Sequence, residues 1–169
     1  MPDYIFDTTV LSNSAAVGYA DLLEQRYRGK AYTTVEVSDE LRKGVKAGYT
    51  YLESILQGME RVDQEDWIYI LVPQSADERR LRAEFDDHLD AGEASCLALA
   101  VSRGLTLVTD DLAARRLAKK RNVFVTGTLG TLISLVRNNA LSLSEANTAL
   151  ADMIQRRYRS PVDRLDEFV

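Results

Sequence analysis

The chain has 169 residues, 46% of them hydrophobic and 28% charged, which is the size of one domain with a sizeable core and gives no ground for disorder. Its formal net charge of -5 argues against a surface that coats nucleic acid broadly, yet it allows a local basic patch beside an acidic centre. One cysteine, Cys96, excludes an internal disulfide framework and a cysteine-rich zinc site, and no apolar run approaches the roughly 20 residues of a membrane span.

The opening MPDYIFDTTV lacks a secretory pattern, so a cytoplasmic protein with no membrane partner is expected. Residues 4–6, YIF, are an apolar run of strand character that ends in Asp7, Thr8 and Thr9. Residues 8–14 read as a loop or short turn, and residues 19–27 carry leucines and aromatics at helical spacing until Gly29 stops them. A short strand is expected over 31–34 and a helix over 35–46, with Val37, Leu41 and Val45 on one side and Glu36 and Glu40 on a neighbouring face. Residues 49–56 form a further helical piece, and 58–66 a polar connection. WIYILV, residues 67–72, is the strongest strand candidate, aromatic and β-branched and closed by Pro73. A charged helix follows over 75–88, with Leu81 and Phe85 as anchors, its charges read as a solvated face and His88 in solvent.

The centre of the chain is residues 89–111, LDAGEASCLALAVSRGLTLVTDD. From Glu93, helical offsets reach Cys96, Leu97, Ala100 and Val101, so Glu93 opens an apolar stripe and Cys96 is a packed, inert thiol. Gly104 ends that helix, and residues 105–108 are a strand that stops at Thr109, Asp110 and Asp111. A helix then runs to about Arg121, with Ala113, Leu117 and Ala118 inward and Arg115, Arg116, Lys119 and Lys120 outward. Residues 123–125 are a short strand, Gly127 turns the chain, and 128–137 resume a helix. Alternating strands and helices predict parallel pairing in an α/β fold. Ser142 and Glu145 make a capping box beside Leu141, opening a helix with Ala146, Leu150, Met153 and Ile154 on its apolar face, and a short mixed tail covers 162–169.

Two strands thus deliver acids at their C-terminal ends, the edge where open α/β sheets hold ligands. Asp7, Glu40, Glu93 and Asp110 come from four separated parts of the chain and can converge there. Two carboxylates about 4 Å apart repel by roughly 4 kcal/mol at an effective dielectric of 20, a cost that a divalent cation removes. Hard oxygen donors with almost no histidine suit magnesium or manganese. Each acid also has a plainer reading. Asp111 fits best as the N-cap of the next helix, a role open to Asp110 too; Asp90 suits the cap of the helix holding Glu93, which could itself simply complement the helix dipole. Asp7 could be a turn residue, and Glu36 is the substitute for Glu40 if that helix is rotated. Thr8 and Thr109 can orient water through their hydroxyls. Arg115 and Arg116 can contact phosphate, against the alternative of a solvated face, and the 127–130 turn could offer backbone N–H groups to a phosphate.

YIFDTTVLSN, VSDELRKG, LDAGEASCLALA, LVTDDLAARRLAKKRNV and VTGTLGTL, in that order, resemble the PIN-domain nucleases, and in particular VapC-like proteins whose later part carries a GTLG segment. The resemblance runs from about residue 3 to about residue 138. It implies a three-layer α/β/α sandwich around a mainly parallel sheet, with a nuclease unit over 1–140 and a helical extension over 141–169 packed on it. It also implies metal-dependent RNA cleavage, with Asp7, Glu93 and Asp110 as metal ligands and Glu40 as the helix acid; the residues themselves add Thr8, Asp111, Arg115 and Arg116 as candidate auxiliaries. Many such proteins are toxins held inactive by a cognate antitoxin, and a homodimer is expected of this chain. The insertion at 58–66 and the helix and tail after Ser142 depart from the shortest of them. Alternatives are a solitary nuclease without antitoxin, a non-catalytic module that receives a basic arm in its acidic pocket, and a magnesium-dependent phosphatase. The last predicts a second aspartate two residues after Asp7, where Thr9 stands.

Overall fold

The computed structural model describes residues 2–62 and 64–169. Strand β1, Tyr4–Phe6, leads directly into helix α1, Thr8–Ala16, where a loop was expected. The Asp7 carboxylate caps that helix by accepting the Thr8 N–H, and Val10, Leu11, Ser14 and Ala15 pack inward. The small polar residues between them disguise the helical spacing. Helix α2, Ala20–Tyr27, strand β2, Ala31–Thr34, and helix α3, Val35–Lys46, follow as expected, the last capped by the Thr34 hydroxyl. A single 3-10 turn, Thr50–Leu52, continues into helix α4, Glu53–Leu56, and the chain returns to the sheet as strand β3, Ile68–Leu71. Asp63, within the polar connection, lies outside the described residues.

Helix α5, Ala76–Asp86, is less solvated than its charges predict. Glu78 is buried, bonding Arg103 Nε and the Ser102 hydroxyl and accepting the Gln74 N–H, so an apparent surface acid ties α5 to the end of helix α6, Ala91–Arg103. The Arg103 guanidinium holds the Glu78 carboxyl well below the usual range. Helix α6 is buried from Ala94 to Ala100, a core helix rather than an amphipathic one, and ends at Gly104 in the left-handed conformation.

Strand β4, Thr106–Val108, is followed by helix α7, Leu112–Lys120, strand β5, Val125–Thr126, helix α8, Thr128–Arg137, and helix α9, Leu143–Gln155. Helix α7 turns Ala118 inward and packs Leu117 on the core as expected, but it buries Ala114 and leaves Ala113 exposed. Strand β5 likewise begins two residues later than expected. The capping box at Ser142 and Glu145 forms as predicted.

The strand order is β3-β2-β1-β4-β5, and among the described residues every pairing is parallel. The chain steps from β1 through β2 to β3, then returns to the other side of β1 for β4 and β5. With the right-handed crossovers general to parallel sheets, this reversal covers both faces with helices, giving the three-layer α/β/α sandwich. WIYILV, the most strand-like stretch, forms an edge. The central pair, β1 and β4, is registered Phe6 against Val108, which brings Asp7 and Thr109 side by side at the point where strand order reverses.

The main core includes Ile5, Phe6, Leu41, Trp67, Leu97 and Leu107. A second cluster joins Leu132 and Leu135 of α8 to Ala146, Leu150 and Met153 of α9 and to Leu165 of the tail, and packs against Val17, Tyr19 and Leu22. The tail is held there: Leu165 is fully buried and its N–H donates to Asn147 Oδ1 at 2.8 Å. Among the described residues no helix is long and apolar enough to cross a membrane.

Candidate metal centre

Asp7 is the buried acid at the sheet's switch point, with 2% of its surface exposed. Its Oδ1 accepts the Thr8 N–H at 2.7 Å and its Oδ2 accepts the Thr109 hydroxyl at 2.8 Å. Burial pushes its carboxyl up to about 6 against those two bonds, and the charges of Glu40 and Asp111 push the same way. Glu93, half-buried in the first turn of α6, is raised to about 7 by burial first and then by the charges of Asp7 and Asp111. Glu93 also plays the plainer role foreseen for it, accepting the Asp90 N–H at 3.3 Å.

Glu40 reaches this centre from α3. The Thr8 hydroxyl donates to its Oε2. Glu40 also lies against the first turn of α6, where a Cβ on Gly92 would stand 2.7 Å from Glu40 Oε1, so glycine is what lets the two helices meet at this carboxylate. Glu36, the substitute on the same helix, is instead paired with Arg82 of α5.

The two aspartates after β4 divide otherwise than expected from the sequence. Asp110 turns to α8: its Oδ1 accepts the Thr128 N–H at 2.8 Å and its Oδ2 the Thr128 hydroxyl. The Asp110 carboxylate packs so closely on Gly127 that any Cβ there would collide with it. Asp111 caps α7 through the Ala114 N–H at 2.7 Å, as expected, and it is also the carboxylate whose charge acts on both Asp7 and Glu93. Thr109 shares its side, the hydroxyl bonding Asp7 and accepting the Asp111 N–H at 3.2 Å. Thr109 and Asp111 act on Asp7 while Asp110 is bonded to Thr128, the division that a twofold alternation of extended backbone produces. That alternation is visible in the sequence and is the signal that separates the two.

The remaining candidates fall around this group. Thr8 and Thr109 hold carboxylates in place. Arg115 donates to the Thr109 and Thr126 carbonyls, bracing the ends of β4 and β5, while Arg116 is exposed. The 127–130 turn spends the Thr128 N–H on Asp110, so that amide is not free for a phosphate. Cys96 lies fully buried beneath, its thiol pushed well up by burial, and His88 is exposed.

Among the described residues no three acidic, histidine or cysteine side chains form a ready-made ion cage. The donor set nevertheless suits a hard divalent cation: four carboxylates and two hydroxyls, two of the acids pushed up by burial and by the charges of neighbouring carboxylates. An acidic group at the carboxyl edge of a parallel α/β sheet, with hydroxyls fixing the carboxylates, stands where open α/β folds hold their ligands. The family model described as DUF3368, a PIN domain, matches residues 3–169, and the chain belongs to the PIN domain family. PIN domains are typically nucleases and typically bind magnesium or manganese. No curated protein and no solved structure matches the chain.

Proposed function

We propose that the protein is a magnesium- or manganese-dependent endoribonuclease whose site comprises Asp7, Glu40, Glu93 and Asp111. The single observation that carries this reading is the buried Asp7 under the fields of Glu40 and Asp111, with Glu93 raised by the charges of Asp7 and Asp111. Such crowding destabilises the ion-free fold and is relieved by a cation. In this reading Asp7 and Asp111 are the direct ligands, and Glu93 binds directly or through water. Glu40 orients the attacking water, and Asp110 is a structural anchor for α8 rather than a ligand. A bound divalent ion would lower the pKa of that water and offset charge on the phosphate in the transition state. Thr8 and Thr109 keep the carboxylates in position, and Arg116 supplies phosphate affinity that falls with salt.

The role of toxin in a toxin-antitoxin pair, with a cognate antitoxin as partner and a homodimer as the working unit, is the finer form of this proposal. It draws on the ordered resemblance to VapC-like proteins. Manganese-dependent cleavage of RNA by the wild type, abolished in Asp7→Asn and Asp111→Asn and retained in Asp110→Asn, is the expected outcome. Equal cleavage by all three variants would defeat the assignment.

A further inference from the structure

The α7–β5 side of the molecule carries a groove of about 600 Å³ lined by Leu112, Arg115, Arg116, Lys119 and Phe124 among others. On a chain of net charge -5, every charged residue among the described ones lining it is a cation. Arg121, at the end of α7, is drawn to Glu84, whereas among the described residues Arg115, Arg116 and Lys119 enter no ion pair.

Phe124 is 83% exposed and Leu112 67% exposed. Fully burying such a side chain would contribute about 2 kcal/mol, which the fold forgoes twice within one groove. Neither residue is loosely placed. The Phe124 carbonyl accepts the Leu107 N–H at 2.9 Å, which pins its backbone to β4, and Leu112 opens α7 immediately after Asp111. A second cleft, of about 560 Å³, shares Leu112, Arg115 and Val125 with the first and adds Asp110, Tyr158 and Arg159. Asp110, the acid lining that cleft, has both oxygens engaged by Thr128, so it offers little repulsion to an incoming anion. The two clefts adjoin at the residues they share, among them Leu112, which follows Asp111 in the chain.

A fixed, exposed ring beside unpaired cations fits one ligand chemistry closely. Bases of a single strand stack on aromatic rings while their phosphates meet Arg and Lys, whereas a duplex keeps its base faces covered. An acidic peptide would also meet the cations, but it leaves the fixed ring beside them without a stacking partner. We infer that this groove binds a single-stranded RNA segment flanking the phosphodiester held at the acids, with a base stacked on Phe124 and phosphates against Arg116 and Lys119. The inference rests on the nuclease reading of the acidic centre.

The test measures binding, without divalent ions and in the Asp7→Asn background, by fluorescence anisotropy of a labelled ten-nucleotide oligoribonucleotide. Phe124→Ala weakens binding about tenfold, the lower part of the range for losing one base stack, and Phe124→Trp restores it. Lys119→Ala and Arg116→Ala each lower the slope of log affinity against log salt by about 0.7. The inference is overturned by unchanged affinity in Phe124→Ala, or by duplex RNA that binds as tightly as the single strand. It is also overturned if poly-glutamate displaces the oligonucleotide while Phe124→Ala has no effect, an outcome that assigns the groove to an acidic peptide. Because no cleavage is read, each of these leaves the metal centre untouched. A wild type that binds through Phe124 but cuts no RNA with manganese supports the groove and contradicts the nuclease reading instead.

Discussion

Asp7 concentrates the electrostatic strain of the site, since its carboxylate is buried, its two oxygens each accept one hydrogen bond, and its nearest charged neighbours are acids. An acid whose pKa is raised by folding holds its proton more tightly in the folded state. Stability is then lost as pH rises from the ordinary carboxylate value through the raised one. For Asp7 and Glu93, raised to about 6 and about 7, that window runs from about pH 4 to about pH 7. The ion-free protein is therefore expected to melt at a lower temperature at pH 8 than at pH 5, with about 3 kcal/mol of the loss across the whole window from Asp7, at 1.36 kcal/mol per tenfold change in proton affinity. Saturating manganese restores the difference, and Asp7→Asn makes the drop smaller by removing the share of Asp7. A melting temperature flat across that range would show that the acids do not strain one another.

The elements that carry these acids were legible to different degrees. Strand β2 and helix α3 stand where β-branched residues, the Thr34 cap and the spacing of Val37 and Leu41 put them. Helix α1 was not legible, because its cap is the Asp7 side chain, a residue already claimed as a strand end, and its sequence TTVLSNSAA is poor in strong helix formers. The choice between Glu36 and Glu40 turned on whether Arg82 of α5 lies near, which only the fold supplies. The choice between Asp110 and Asp111 turned on a single step of strand phase, where one residue reverses the face. The junction of α3 and α6 gives an element-scale prediction. In Gly92→Ala the new methyl meets the end of a flexible side chain, Glu40, and not backbone. RNA cleavage is expected to fall at least tenfold while the melting temperature moves by no more than a few degrees. A variant as active as wild type would show that the position of Glu40 is immaterial.

At the scale of the whole molecule, the sheet brings the acidic edge together and the second cluster anchors the C-terminal part of the chain to it. Helices α8 and α9 and the tail share one small core, and the family match spans residues 3–169. Leu165→Ala is expected to destabilise the entire fold by about 2–5 kcal/mol, read as a single earlier unfolding transition, because it hollows a fully buried contact. A tail that acted as an appendage would leave the melting temperature unchanged. The claim on which the rest depends is that Asp7, Glu93 and Asp111, remote in the chain, share one divalent ion. Calorimetric titration of manganese into the wild type, Asp111→Asn and Asp110→Asn tests it most directly. The account predicts one site of clear affinity in the wild type and in Asp110→Asn, weakened at least tenfold in Asp111→Asn. Equal affinity in all three proteins, or loss confined to Asp110→Asn, would contradict it.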